Sequence, residues 1–211
     1  MKKLDLNGSV NLEQMQGTEE WYWSMDITNG DLYEAQELFQ DGKTEGNHLY
    51  LIHYPDATIY PVPFKKGCYF GKPIYDNGII LLMVDFIENL ISIFHFYPIS
   101  FKWETIVQIP LCSIENCYNL QLRISPLTLI RQDNDFEIVW PEQVKFPIGT
   151  RESFCFRKED KLYFSVWYED PEYKEESIVR LLPKGSISQK FSGNVWLMPN
   201  GEIWNLKGER P

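Results

Sequence analysis

The sequence predicts an all-β repeat protein, and three features carry the prediction. Short runs of β-branched and aromatic residues are divided by turn pairs such as Asn29-Gly30, Asn77-Gly78 and Asn200-Gly201. Helical periodicity is almost absent. Matched pairs of strands recur along the chain, each pair closed by a proline.

The first strand of each pair reads LYLIHY at residues 49–54, ISIFHF at 91–96 and LYFSVW at 162–167, each soon followed by Pro55, Pro98 or Pro171. The second strand reads TIYPVP at 58–63, TIVQIP at 105–110 and SIVRL at 177–181, with Pro183 just beyond. A weaker copy, QVKFP, occupies 143–147. The closing prolines therefore stand at 63, 110, 147 and 183, separated by 47, 37 and 36 residues.

In strand pattern and repeat length, most of the chain resembles small β-propeller domains, whose blades are four-stranded sheets. The resemblance implies about five blades, with four as the alternative, in a single domain over residues 1–211. From Pro183 through the termini to Pro63 there are 91 residues, enough for two blades. One of these would join a hairpin turning at Pro199-Asn200-Gly201 to an N-terminal strand over residues 4–12, closing the last blade and hiding its edges. The Gly-His and Trp-Asp marks of WD40 blades and the kelch double glycine are absent, so the resemblance implies architecture and no activity. Residues 30–40 stand apart and are left undecided: Leu32, Ala35, Leu38 and Phe39 fall roughly on one helical face, while the alternation Leu32, Glu34, Gln36, Leu38 makes a poor strand.

Composition narrows the class further. Apolar residues make up 44% of the 211 and aromatics 15%, a load that folds rather than stays disordered. Neither a signal-peptide core nor a run long enough for a membrane span is visible, and a cytoplasmic location is expected. Twenty Lys and Arg against 30 Asp and Glu give a net charge of −10, which repels phosphate backbones and anionic lipid. Nucleic acid and membranes are thus excluded as partners, and a protein or carbohydrate ligand remains. Cys68, Cys112, Cys117 and Cys155 have neither disulfide-framework nor zinc-site spacing, and read as reduced thiols.

Candidate residues for chemistry are few. His53 and His95 are repeat equivalents, but Val166 fills their position in the third copy, so they read as core histidines rather than metal ligands. Asp26 in MDITNG and Asp85 in VDFIEN each precede a polar hairpin turn, where a carboxylate accepts backbone hydrogen bonds; their alternative role is an acid at a propeller axis. Asp135 completes a possible carboxylate set, and Trp167 is a candidate contact for a sugar or protein. The run from Glu169 to Glu176 reads as a solvated acidic loop. No nucleophile elbow, Walker loop, dinucleotide fingerprint or zincin helix is present. The reading is a monomeric, non-catalytic binding module without cofactor or metal, of protein-binding, immunity-like type. A small glycoside hydrolase using axial carboxylates is the alternative.

Overall fold

The computed structural model describes residues 2–169 and 174–207. Nineteen strands in chain order build five small antiparallel sheets among these residues. Sheet 1 runs in the order β1 (Glu13–Gln14), β2 (Trp21–Met25), β3 (Leu49–His53), β4 (Thr58–Pro61), with helix α1 (Leu32–Gln40) inserted between β2 and β3. Sheet 2 has β5 (Cys68–Phe70), β7 (Ile79–Asp85), β8 (Leu90–Tyr97) and β9 (Lys102–Pro110), with β6 (Ile74–Tyr75) also paired to β7. Sheet 3 continues as β10 (Gln121–Arg123), β11 (Thr128–Gln132), β12 (Asp135–Trp140), β13 (Val144–Pro147). Sheet 4 runs as β14 (Glu152–Lys158), β15 (Lys161–Tyr168), β16 (Lys174–Leu181), β17 (Ser186–Ser192). Sheet 5 is the hairpin β18 (Asn194–Leu197) and β19 (Ile203–Leu206). The chain gathers into two compact units, Met1–Leu129 and Ile130–Pro211.

Burial matches the strand pattern. β7, the apolar run IILLMVD, is buried on both faces, as a central strand covered on two sides requires. The last strands β9 and β17 alternate or face solvent almost throughout. In the first unit Trp23, Met25, Leu51, Phe70, Leu81 and Phe96 form a common core. In the second, Phe136 packs on Phe164 at 5.2 Å and on Phe154 at 4.8 Å between ring centroids, within a cluster holding Ile138, Leu162 and Ile178. These offset and edge-on ring pairs add to plain burial.

Consecutive sheets are stitched by side chains that substitute for backbone. Asn47 accepts from Phe70 N at 2.7 Å and donates to Phe70 O at 3.0 Å, tying the entry of β3 to β5. Gln132 does the same between β11 and β14, accepting from Phe154 N at 2.9 Å and donating to Glu152 O at 2.7 Å. Ser177 on β16 donates to Gly193 O at 2.8 Å and accepts from Val195 N at 3.1 Å, which seats β18. Gly17 serves the same purpose by lacking a side chain: at φ +96° it passes so close to Tyr75 that a Cβ would meet its carbonyl oxygen at 2.1 Å.

Two expectations are corrected. Residues 2–12 form no strand, and β18 and β19 make a sheet of two strands only, so no N-terminal strand closes the last sheet. The cause is local: Asn7 and Gly8 both have positive φ, Ser9 N returns to Leu6 O at 3.1 Å, and the Ser9 hydroxyl is engaged with Ser24 Oγ and Met25 O. Leu6 is buried by this turn while Val10 is left 92% exposed. The third repeat copy is also out of phase. Its two strands are the second and third of sheet 4, whereas the first two copies are the third and fourth of sheets 1 and 2. Pro63, Pro110 and Pro147 therefore stand at or beyond the end of a fourth strand, and Pro183 comes after a third. The stretch 30–40 is helical over Leu32–Gln40, because the Asp31 carboxylate caps it by accepting from Tyr33 N and Glu34 N.

Candidate functional site

Asp26 directly follows the second strand of sheet 1 and Asp85 ends the second strand in the order of sheet 2, and both are consumed there. Asp26 Oδ1 accepts from Ile27 N at 2.9 Å and His48 N at 2.8 Å, while Oδ2 lies 2.7 Å from His48 Nδ1. Asp26 leads into a 3-10 turn and α1 rather than a hairpin turn. Asp85 is buried and accepts from Ile87 N at 3.0 Å, Glu88 N at 2.9 Å, Lys65 Nζ at 2.6 Å and Cys68 Sγ at 3.3 Å. Burial pushes its carboxyl up, but Lys65, the Glu88 amide and the Cys68 thiol together outweigh burial and hold it below the usual 3.8. The Cys68 thiol moves the other way, up to about 12, through burial first and the Asp85 carboxylate second. A thiol so protonated is a donor to the carboxylate and no nucleophile.

In the second unit Asp135 is half-buried and faces Lys145 Nζ at 3.5 Å across the β12–β13 pair. Trp167 is 43% exposed, with the Arg151 guanidinium 5.8 Å over its ring. The four residues singled out in the sequence thus hold four separate partner sets. A largely buried ion pair of this unit is one that sequence reading missed: Arg180 grips Glu152 with two hydrogen bonds of 2.8 Å and donates to Gly185 O at 2.6 Å. All its members face one another, so it reads as a stitch between β14 and β16.

The histidines are half-buried rather than core. His53 Nδ1 lies 2.6 Å from Asp56 Oδ1 in the turn after β3, and the Thr58 hydroxyl, then His53, hold Asp56 down to about 2. His95 packs its ring 5.1 Å from Tyr97, with Nε2 buried close to Gly78 and without a hydrogen-bond partner among the described residues. None of the four cysteines is in a disulfide; Cys68 and Cys117 are buried and Cys112 is exposed. Among the described residues, no three His, Cys, Asp or Glu side chains gather as a metal would need. No helix there is long and apolar enough to cross a membrane.

Two exposed surfaces stand out among the described residues. On α1, Leu32 and Ala35 face the core and Phe39 stacks on Phe86 at 5.4 Å, leaving Glu34, Glu37 and Asp41 on the outer side. Their spacing of three and four residues puts the carboxylates in one row. Together with Leu38, Gln40 and Lys43 they line a shallow depression of about 440 Å³. Lys43 pairs with Asp41 at 2.8 Å, while no cation among the described residues comes within 4.0 Å of Glu34 or Glu37. Tyr33 and the exposed Tyr118 meet edge-to-face at 5.4 Å beside the row. The signal for this surface was present in the sequence as Glu34-x-x-Glu37-x-x-x-Asp41, but it becomes a row only on a helix. The other surface is the hairpin, where Trp196 stands directly opposite Trp204 and the two are 58% and 51% exposed.

Comparison of the sequence with known proteins adds no relative to this geometry: no family model matches the chain, and no curated protein matches it.

Proposed function

We propose that the chain is a non-catalytic binding module of small-propeller type, and that the acidic row Glu34, Glu37 and Asp41 on α1 holds a basic protein partner. The observation that carries the reading is the acidic excess of this row: Lys43 pairs with Asp41, and no cation among the described residues comes within 4.0 Å of Glu34 or Glu37. Like charges three and four residues apart weaken a helix by a few tenths of a kcal/mol, and the carboxylate of Asp41 adds to the negative C-terminal dipole. Residues 1–129 as a whole hold sixteen acidic against eight basic side chains, so the long-range field reinforces the local one. Tyr33 and Tyr118 supply aromatic surface of the kind enriched at interfaces. An immunity-like role, masking a cationic protein, is the version that fits this field best.

The propeller-type arrangement is supported by three features: sheets that succeed one another along the chain, strand order that keeps to the sequence apart from β6, and the stitches Asn47, Gln132 and Ser177 between successive sheets. No observation favours the glycosidase reading, since Asp26 and Asp85 commit their oxygens to backbone amides.

The test is titration of the full chain with an arginine-rich peptide at two salt concentrations. Glu34→Lys/Glu37→Lys is expected to weaken binding by about tenfold or more, while the charge-matched exposed pair Glu19→Lys/Glu20→Lys changes it by less than about threefold. Equal losses in the two variants would leave only general charge attraction and overturn the site.

A further inference from the structure

We infer that β19 is the docking edge for a second copy of this chain, paired antiparallel so that two hairpins merge into one four-stranded sheet. The inference is independent of the α1 surface. Met198 N donates to Glu202 O at 2.8 Å, which marks these two as a hydrogen-bonded pair at the turn. Ladder bonds alternate in an antiparallel pair, so Trp196/Trp204 and Asn194/Leu206 are the next bonded pairs in the register. The N–H and C=O groups of Ile203 and Asn205 then point away from β18. Among the described residues nothing outside the hairpin hydrogen-bonds to them, and Asn205 is exposed. The opposite edge is already occupied, since Val195 N donates to Ser177 Oγ.

Side chains agree with the backbone. One hairpin face, with Val195 and Ile203, packs on Tyr163 and Val179. The other carries Trp196, Trp204 and Leu206, with Leu206 54% exposed. An unpaired edge beside exposed tryptophans is the arrangement that sheets otherwise cover or charge.

A second copy fits this edge because the edge is complementary to itself. A two-fold axis at Trp204 sets Ile203 against Asn205 of the second copy, and Asn205 against its Ile203, so outward groups meet outward groups. Trp204 meets Trp204 of the second copy at the closely spaced, non-bonded position, where side chains pack best. Glu202 falls opposite Leu206 of the second copy instead of another carboxylate. The product has four strands, the number found along sheets 1, 3 and 4. Charge does not oppose it: residues 130–211 hold twelve basic and fourteen acidic side chains, and the strong negative field belongs to 1–129.

Sedimentation velocity of the full chain over a concentration series tests the pairing. The expected result is a reversible shift from 25.0 kDa toward twice that mass as concentration rises. Asn205→Pro deletes an outward N–H while keeping every hairpin bond, and Trp204→Lys sets two ammonium groups opposite each other; each should leave only monomer. Circular dichroism checks that the variants fold, and if Asn205→Pro does not, Trp204→Lys decides. A monomer at every concentration, or a dimer that survives folded Trp204→Lys, would overturn the inference.

Discussion

Asp85 shows how a single side chain can look catalytic in sequence and prove to be a staple. Its carboxylate terminates β7 by taking the two amides that the turn leaves over, and it adds to the burial that keeps Cys68 protonated. Asp85→Ala removes the acceptor from two amides and a thiol, and is expected to cost about 1–3 kcal/mol in urea unfolding at neutral pH. The carboxyl is held below 3.8, so its contribution is complete above that value and fades as pH falls through the lower, folded-state value. The gap between wild type and Asp85→Ala should therefore close in acid. Thiol reactivity is a second readout: iodoacetamide at neutral pH should label exposed Cys112 first and leave Cys68 and Cys117 untouched until the protein unfolds. The turn role of Asp85 was legible because Asp before a polar turn has one ready way to be satisfied, whereas Asp26 shares its carboxylate between Ile27 N and the distant His48 N. Arg180–Glu152 was not, because its partners are 28 residues apart and only pairing of β14, β15 and β16 brings them together.

Strands were legible wherever apolar alternation met a turn pair, and the errors lie where two elements look alike. LYFSVW at 162–167 matches the third strands of sheets 1 and 2 by side chain, yet it is the second strand of sheet 4. Any buried central strand selects the same residue types, so similarity reports burial rather than rank in the sheet. Residues 4–12 misled for a related reason, because alternation at Leu4, Leu6 and Val10 is broken by the left-handed Asn7-Gly8 pair. Leu6→Ala should cost about 2 kcal/mol or more and Val10→Ala less than about 0.5 kcal/mol in urea unfolding, whereas a paired strand with both side chains on its buried face would lose stability at each. The stitches between sheets offer a sharper test. Ser177→Ala leaves Val195 N–H and Gly193 C=O without their buried partner and should cost about 1–3 kcal/mol, with faster amide exchange in β18 and β19 than in β15.

At the scale of the whole molecule, charge is uneven: residues 1–129 carry sixteen acidic and eight basic side chains, and 130–211 carry fourteen and twelve. Self-repulsion should make stability rise with ionic strength, seen as a higher urea midpoint at about 0.3 M NaCl than at about 0.02 M, where the screening length is several times longer. The sequence by itself determined the all-β class, the turn positions, the acidic balance and the fate of most core residues, because these depend on local periodicity and on composition. The helical state of 32–40, which aligns Glu34 with Glu37, rests on the local Asp31 cap, whereas tertiary structure alone decided the strand ranks and the open edge of β19. Each of these depends on which distant segment pairs with which, and one chain's pattern of apolar residues is compatible with several such pairings.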